Sequence, residues 1–330
     1  MKATATANAN IALVKYWGKR DEKLILPTNS SISMTTDKMT TTTTVEFGKK
    51  YKSDIFVLNG KKISGKESKN VQKHLGLIRK ICKKKEKARV ESTNNFPTAA
   101  GLASSASGFA ALTLAATHAL CVSFDKKHLS IIARQGSGSA CRSIFGGFAE
   151  WKHGEKSDGT DSYAHQIAPA EYWKEFTMIA TVVFAGEKKI KSRAGMKQTV
   201  KTSPLYKSWL ETAGNDLNSM RKGILAKNFP IVGKTAESNA LKMHATMFTT
   251  KPPIIYWSPV TIKVIEAVQE LRESGTECYF TMDAGPQVKV LCLKKNAKKI
   301  QAKLSNLTEV QKTILCAPGS DAKISLEHLF

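Results

Sequence analysis

The sequence lacks the patterns that mark membrane-spanning, secreted or zinc-binding proteins. No hydrophobic run approaches the ~18 residues of a membrane-spanning helix. The opening stretch MKATATANANIALVKYWGK has neither the apolar core nor the cleavage site of a signal peptide. Six scattered cysteines form no C-x-x-C pair, and seven histidines form no H-E-x-x-H motif. We therefore expect a cytoplasmic protein with reduced thiols, no membrane partner and no metal site made only of side chains.

Acidic residues are scarce as well. Asp and Glu total 27 against 51 Lys and Arg, which gives a net charge of +24. This charge permits nucleic-acid or membrane-surface binding, and it equally suits an enzyme whose ligands are polyanions. The basic residues interleave with helical patterns and lack the repeated exposed aromatics of a base-stacking surface. We expect a solvated basic surface and no nucleic-acid partner, with a basic RNA-binding protein as the alternative from another class.

The 330 residues are enough for one large domain or two intimate ones. Strand and helix patterns mix throughout, with a strand over residues 3–14, a hairpin turn at Asn59-Gly60 and an amphipathic helix over 66–87. Residues 204–248 are helical by pattern, with interruptions at Gly214, Gly223 and Pro230. The second half follows a β-α-β-β-α-β trend like that of ferredoxin-like domains. These patterns predict an α+β fold.

The most informative stretch runs from Asn94 to Leu120, NNFPTAAGLASSASGFAALTLAATHAL. A loop of small residues leads into an apolar helix from about Ala103, so the N–H groups of the first turn are open to an anion. The hydroxyls of Ser104, Ser105 and Ser107 add further ligands for phosphate or a metal ion. The stretch is neither a G-x-x-x-x-G-K-[ST] loop nor a G-x-G-x-x-G fingerprint. It predicts a phosphate site of another type.

Four shorter segments carry candidate site residues. Residues 15–19, KYWGK, have two interpretations. Either the aromatics are core residues and the lysines are solvated, or the segment forms a cationic pocket with a phenol donor. In 135–143, QGSGSACRS, Arg142 stands among small hydroxyl residues and is suited to grip a carboxylate. Residues 188–199 are a basic loop or a second anion site. Asp283 is a turn former before A-G-P or a catalytic carboxylate.

These motifs together resemble the diphosphomevalonate decarboxylases of the GHMP kinase superfamily. The similar segments are A-N-I-A-L-V-K-Y-W-G-K, N-F-P-T-A-A-G-L-A-S-S-A-S-G-F-A-A-L, G-S-G-S-A-C-R-S, K-x-x-S-R-A-G-M and T-M-D-A-G-P, which occur in the family's order between residue 7 and about residue 293. One departure is Gln287, where the family usually has Asn after the proline.

The resemblance implies a role for each group of site residues. The catalytic residues would be Asp283, Arg142 and Lys19. The substrate would contact Tyr16, Trp17, Gly18, Lys19, Ser137, Gly138, Ser139, Arg142, Ser192, Arg193 and Thr199. ATP would contact Ser92, Pro97, Ala100, Gly101, Leu102, Ala103, Ser104, Ser105, Ser107, Lys188 and Met196, with Ser105 as the candidate Mg²⁺ ligand.

The resemblance also implies a fold and a reaction. The fold would have two lobes around a deep cleft: an N-terminal lobe like ribosomal protein S5 domain 2 over residues 1–185, and a ferredoxin-like lobe over 186–330. The reaction would convert diphosphomevalonate and ATP to isopentenyl diphosphate, with Mg²⁺ as cofactor and a homodimer as the expected assembly. A phosphomevalonate decarboxylase and a mevalonate-type small-molecule kinase remain as alternatives.

Overall fold

The computed structural model describes residues 1–97, 101–183 and 190–330. The strands in these ranges are β1 (Lys2–Val14), β2 (Lys19–Asp21), β3 (Leu26–Pro27), β4 (Ser31–Phe47), β5 (Ile55–Leu58), β6 (Lys61–Lys62), β7 (Ala88–Asn94), β8 (Phe148–Trp151), β9 (Ala164–Ala168), β10 (Phe176–Val182), β11 (Cys278–Met282), β12 (Val288–Leu293), β13 (Lys312–Cys316) and β14 (Lys323–Ser325). The helices are α1 (Gly65–Ile81), α2 (Ser104–Ala119), α3 (Lys126–Gly136), α4 (Ser192–Thr202), α5 (Tyr206–Leu225), α6 (Phe229–Phe248), α7 (Pro259–Glu273) and α8 (Lys294–Ser305). Two short 3₁₀ helices cover Gly138–Ile144 and Ala170–Trp173.

The first sheet has the strand order β14-β1-β4-β7-β5-β6, and β8 pairs with β4 and β9. Its long strands β1 and β4 run antiparallel, whereas β5 and β7 are parallel. Helix α2 packs on β1 and β4. Small residues meet at this contact, with Ala7 of β1 against Ala110 and Ala111 of α2, so the helix can lie close to the sheet. The strand predicted for residues 3–14 and the helix predicted from about residue 103 therefore pack together. The residues that lead into α2, described from Gly101 onward, are called the phosphate loop below, after their predicted role.

The second sheet is antiparallel, with the order β11-β12-β10-β13. The predicted β-α-β-β-α-β pattern corresponds, in chain order, to β10, α7, β11, β12, α8 and β13. Helices α4, α5 and α6 lie between β10 and α7. Strand β10 lies before the predicted domain boundary at 185/186, yet it pairs with β12 and β13. Strand β14 returns from the C-terminal half to pair with β1. The boundary itself lies outside the described residues, and the division at 185/186 stays a prediction.

One hydrophobic core joins the two sheets. It contains Ile11 and Leu13 of β1 together with Phe176 and Met178 of β10, all fully buried. Helix α6 packs on both β1 and β11. The ends of β1 and β11 are thereby fixed relative to each other, which positions the residues that follow these two strands. None of the helices in the described ranges has both the length and the apolar composition needed to cross a lipid bilayer.

Candidate active site

A cavity of about 470 Å³ lies where the end of β1, the start of α2 and the turn after β11 converge. Most of the predicted site residues line it. They are Tyr16, Trp17, Lys19, Ser92, Gly101, Ala103, Ser104, Ser105, Ser137, Gly138, Ser139, Arg142, Ser192, Arg193, Met196 and Asp283. Segments separated by more than 200 residues in sequence therefore form one site.

Other predicted residues lie off the cavity. Leu102 is buried in the core between the sheets, and the Ser107 hydroxyl is 2.6 Å from the Thr41 hydroxyl. Thr199 is fully buried, with its hydroxyl 3.1 Å from that of Thr250, so it packs inside the second lobe and does not face the cavity. Pro97 is also absent from the lining. Ala100 and Lys188 lie outside the described residues.

Gly18 is not part of the cavity lining, although its neighbours Trp17 and Lys19 are. Its φ angle is +126°, a conformation that L side chains rarely adopt. A Cβ atom at this position would lie 1.8 Å from the Tyr206 hydroxyl. That hydroxyl in turn donates a 2.9 Å hydrogen bond to the Trp17 carbonyl. Glycine is therefore required here because helix α5 approaches the segment 15–19 directly.

Asp283 is held between two buried lysines. Its Oδ1 is 2.9 Å from Lys15 Nζ and its Oδ2 is 3.5 Å from Lys289 Nζ. Burial by itself would raise the pKa of the Asp283 carboxyl, but Lys15, Lys289 and Arg142 together hold that pKa well below its usual range. One quarter of the side chain is exposed, and it lines the cavity. Asp283 is thus a carboxylate that faces a ligand site and stays ionised at neutral pH.

Lys15 is a site residue to which the sequence analysis gives no individual role. Its ammonium donates to the Ala12 carbonyl at 2.6 Å as well as to Asp283. Its peptide N–H donates to Asn239 Oδ1, and its carbonyl accepts from Asn29 Nδ2, both at 2.8 Å. Burial lowers the pKa of Lys15 to about 8, although Asp283 opposes this shift. The available signal was a lysine directly after the apolar run I-A-L-V, where a buried charge needs a partner.

Lys289 is a second residue that the sequence analysis missed. It lies on β12, whose sequence V-K-V-L-C-L is otherwise apolar, and its side chain is 1% exposed. Burial lowers its pKa, and Asp283 opposes this effect. A lone lysine in a buried strand is seldom found without a counter-charge, and this was the signal that could have identified it.

Arg142 lies on the 3₁₀ helix Gly138–Ile144 and is 2% exposed. Its Nε donates to Ser33 Oγ at 2.9 Å and to Asn10 Oδ1 at 3.2 Å, and its Nη1 donates to the Ser31 hydroxyl. These partners are neutral, and no carboxylate of the described residues forms an ion pair with the guanidinium. The fixed positive charge at the cavity wall therefore suits an anionic ligand group.

The phosphate loop enters α2 through left-handed backbone at Gly101 (φ +80°) and Ala103 (φ +58°). Ala103 is the N-cap residue and provides no side-chain cap, so the side chain at this position does not compete for the first-turn N–H groups. Ser105 is exposed, its hydroxyl lies 3.3 Å from the Ser137 hydroxyl, and both residues line the cavity. This end of α2 has the geometry and dipole direction of an anion site.

A second group of polar side chains, from the segment after β1 and from the start of α4, also lines the cavity. The Tyr16 hydroxyl is buried without a hydrogen-bond partner among the described residues, and burial raises its pKa above its usual range, so it stays a donor. Lys19 pairs with Glu22 at 2.6 Å, and burial lowers its pKa against the effect of Glu22. Arg193 Nη2 donates to the Gly136 carbonyl at 2.9 Å. A phenol and two cations in the cavity lining match a phosphorylated ligand tail.

The donor set near the phosphate loop fits a magnesium ion carried by nucleotide phosphates. The described residues contain no cluster of three or more His, Cys, Asp or Glu side chains. Mg²⁺ usually keeps several waters and binds phosphates plus one or two protein oxygens, so a protein cage is not needed. Ser105 is the candidate protein oxygen.

The fold and the cavity define a two-lobed enzyme of the GHMP kinase type. The crystal structure of mevalonate diphosphate decarboxylase from Staphylococcus aureus matches with a TM-score of 0.93 at 43% identity, covering 98% of each chain. A structure of MDDEF in complex with MVAPP, AMPPCP and magnesium matches with a TM-score of 0.92 at 44% identity, over 98% of this chain and 99% of that one. The predicted fold class is confirmed.

Sequence comparisons narrow the class to one family. A family model of the diphosphomevalonate decarboxylase-like N-terminal domain matches residues 7–164, and one of the mevalonate 5-diphosphate decarboxylase C-terminal domain matches residues 178–326. The diphosphomevalonate decarboxylase of Gibberella zeae is 40% identical over 313 residues, which cover 90% of this chain and 82% of the relative. This chain belongs to the diphosphomevalonate decarboxylase family. The predicted family is confirmed, whereas the roles of individual residues stay predictions.

Proposed function

We propose that this chain converts (R)-5-diphosphomevalonate and ATP to isopentenyl diphosphate, ADP, phosphate and CO₂, with Mg²⁺ as cofactor. The observation that carries this proposal is the position of Asp283. An ionised carboxylate, paired with Lys15 and Lys289, faces the same cavity as the start of α2 and the guanidinium of Arg142. A base, a phosphate site and a carboxylate site are the three elements that this reaction requires.

In the first step the C3 hydroxyl of the substrate takes the γ-phosphoryl group of ATP. Asp283 orients this hydroxyl and accepts its proton as the new O–P bond forms. A carboxylate with a low pKa suffices, because phosphoryl transfer depends chiefly on positioning and charge stabilisation. The first-turn N–H groups of α2 and the hydroxyls of Ser104 and Ser105 bind phosphate oxygens. Mg²⁺, when bound with ATP, would neutralise part of the phosphate charge.

In the second step the phosphorylated intermediate loses phosphate and CO₂. The C3–O bond breaks and phosphate leaves with the electron pair. The electrons of the C1–C2 bond then form the C2–C3 double bond as CO₂ departs. Arg142 holds the carboxylate opposite the leaving phosphate, with Ser137 and Ser139 beside it. The neutral partners of Arg142 leave its charge available for this carboxylate.

The diphosphate tail is bound by Tyr16, Lys19, Ser192 and Arg193. We expect Lys19→Ala and Arg193→Ala each to raise the KM for diphosphomevalonate about 10-fold, since each removes one charge-assisted hydrogen bond. Steady-state kinetics at saturating ATP measures this change. Lys23→Ala removes an exposed lysine close to Lys19 in the sequence and is the control for the loss of a lysine outside the cavity. An unchanged KM in both variants would place the diphosphate elsewhere.

The test of the reaction is an assay of ADP and CO₂ release, run in parallel on mevalonate, its 5-phosphate and its 5-diphosphate. Turnover of the diphosphate with CO₂ equal to ADP is the expected result. Preference for the monophosphate would keep the chemistry and revise the roles of Tyr16, Lys19 and Arg193. ADP without CO₂ would indicate a kinase. No turnover on any of the three would overturn the proposal and favour the RNA-binding alternative.

The chain is further proposed to act as a homodimer in the cytoplasm. All six cysteines are free thiols, which suits a reducing compartment. The dimer is the assembly expected for the family. Light scattering coupled to gel filtration measures it directly, and a single species with the mass of one chain would contradict it.

A further inference from the structure

The ammonium of Lys289 occupies the junction between the phosphate loop and the turn that carries Asp283. It donates to the Gly101 carbonyl at 2.9 Å and to the Gln287 carbonyl at 3.2 Å. Its third neighbour is Asp283 Oδ2 at 3.5 Å. One buried cation therefore contacts both the loop that enters α2 and the carboxylate proposed as the base.

Lys289 and Lys15 differ in what they offer a ligand. An ammonium has three protons, and Lys289 has three protein acceptors for them. Lys15 donates to two acceptors, Ala12 and Asp283, and it lines the cavity. Lys289 does not line the cavity. Lys15 is thus placed to touch substrate, whereas Lys289 can act only through the groups that it binds.

The backbones that Lys289 connects are already in contact. A methyl group added at Gly285 would lie 3.4 Å from Gly101 Cα, and one added at Gly101 would lie 3.6 Å from Gly285 Cα. Both positions therefore pack backbone against backbone, and a shift of one segment is transmitted to the other. Under the proposed function, this contact would set the distance between the γ-phosphate of ATP and the Asp283 carboxylate.

We propose that Lys289 is a positioning residue that fixes the phosphate loop relative to Asp283 through its contacts with the Gly101 carbonyl and the Asp283 carboxylate. This inference rests on the proposed function, since it concerns the same site. Lys289 donates to the loop carbonyl and lies 3.5 Å from the carboxylate without lining the cavity. Loss of its charge would both loosen the loop and remove one of the cations beside Asp283.

The test compares Lys289→Met with Lys299→Met. Lys299 lies on α8, is exposed and donates a single 2.7 Å hydrogen bond to the Thr276 hydroxyl, which makes it a control for a lysine-to-methionine change outside the site. We expect Lys289→Met to lower the single-turnover rate about 100-fold, the effect of a small misplacement of reacting groups. The Kd of the Mg²⁺ complex of AMPPCP, measured by calorimetry, should rise about 5-fold, while that of diphosphomevalonate should change less than about 2-fold.

The two ligand affinities and a conservative variant separate positioning from a merely structural role. A structural defect would weaken the binding of both ligands equally, whereas loss of the contact with the Gly101 carbonyl should weaken the binding of AMPPCP alone. Lys289→Arg keeps the charge but not the donor geometry. It should therefore still lose rate, and it also serves if the Met variant does not fold.

Two results would overturn the inference: an unchanged rate in Lys289→Met, or equal loss of affinity for both ligands. Failure of the proposed function is detected separately. It would appear as a lack of diphosphomevalonate turnover by the unsubstituted chain. In that case the AMPPCP affinity of Lys289→Met still decides whether Lys289 supports the phosphate loop.

Discussion

Asp283→Asn is expected to lower turnover about 10²- to 10⁴-fold, the usual contribution of a positioned general base. The amide has nearly the same shape as the carboxylate, but it is neutral and cannot accept the hydroxyl proton. The Kd of the Mg²⁺ complex of AMPPCP should change little, because the first-turn N–H groups of α2 are untouched. Single-turnover ADP formation is the measurement.

The same substitution leaves two buried lysines without their counter-charge. Loss of one member of a buried ion pair lowers the free energy of unfolding by about 3–5 kcal/mol. The control variant must therefore lose a similar amount of stability. Asp54→Asn provides it, because Asp54 is 6% exposed and accepts two 2.9 Å bonds from Arg79 outside the cavity. We expect both variants to lose stability in urea and only Asp283→Asn to lose the chemistry. Near-normal turnover of Asp283→Asn would remove Asp283 from its proposed role.

Arg142→Gln is expected to reduce CO₂ release about 10³-fold, comparable to the loss of a donor that stabilises charge in a dry site. The guanidinium is proposed to hold the substrate carboxylate during the second step. ADP formation should fall less than CO₂ formation, because phosphoryl transfer at C3 uses Asp283 and the phosphate loop. Parallel measurement of the two products over one turnover gives the ratio.

Arg134→Gln is the matched control for this prediction. Arg134 is likewise fully buried, but it donates to the backbone carbonyls of Leu24, Gly159 and Ser162. The control should lose stability and keep ADP and CO₂ equal. If Arg142→Gln also kept the two products equal and turned over at the normal rate, the substrate carboxylate would have to bind to another group.

Much of the secondary structure could be predicted from local sequence. The helix predicted over residues 66–87 forms as Gly65–Ile81, and the Asn59-Gly60 hairpin forms with positive φ at both turn residues. The predicted interruptions at Gly214 and Gly223 were wrong, since α5 is continuous over Tyr206–Leu225. A Cβ at Gly223 would lie 2.9 Å from Val232 Cγ2, so this glycine allows α5 and α6 to pack closely. Tertiary contact here outweighs the low helix propensity of glycine.

The sequence by itself indicated an anion site at the start of α2, since the small residues that lead into this apolar helix are a local feature. It also indicated Arg142 and Asp283 through short motifs. Only the tertiary structure decided which charges meet. Lys15 and Asp283 are 268 positions apart, and Lys289 reaches Gly101 across 188 positions. Their pairing depends on how β1, β11 and β12 end beside α2. This arrangement is set by the shared core of the two sheets, because a buried charge is stable only where packing brings its partner within hydrogen-bond distance.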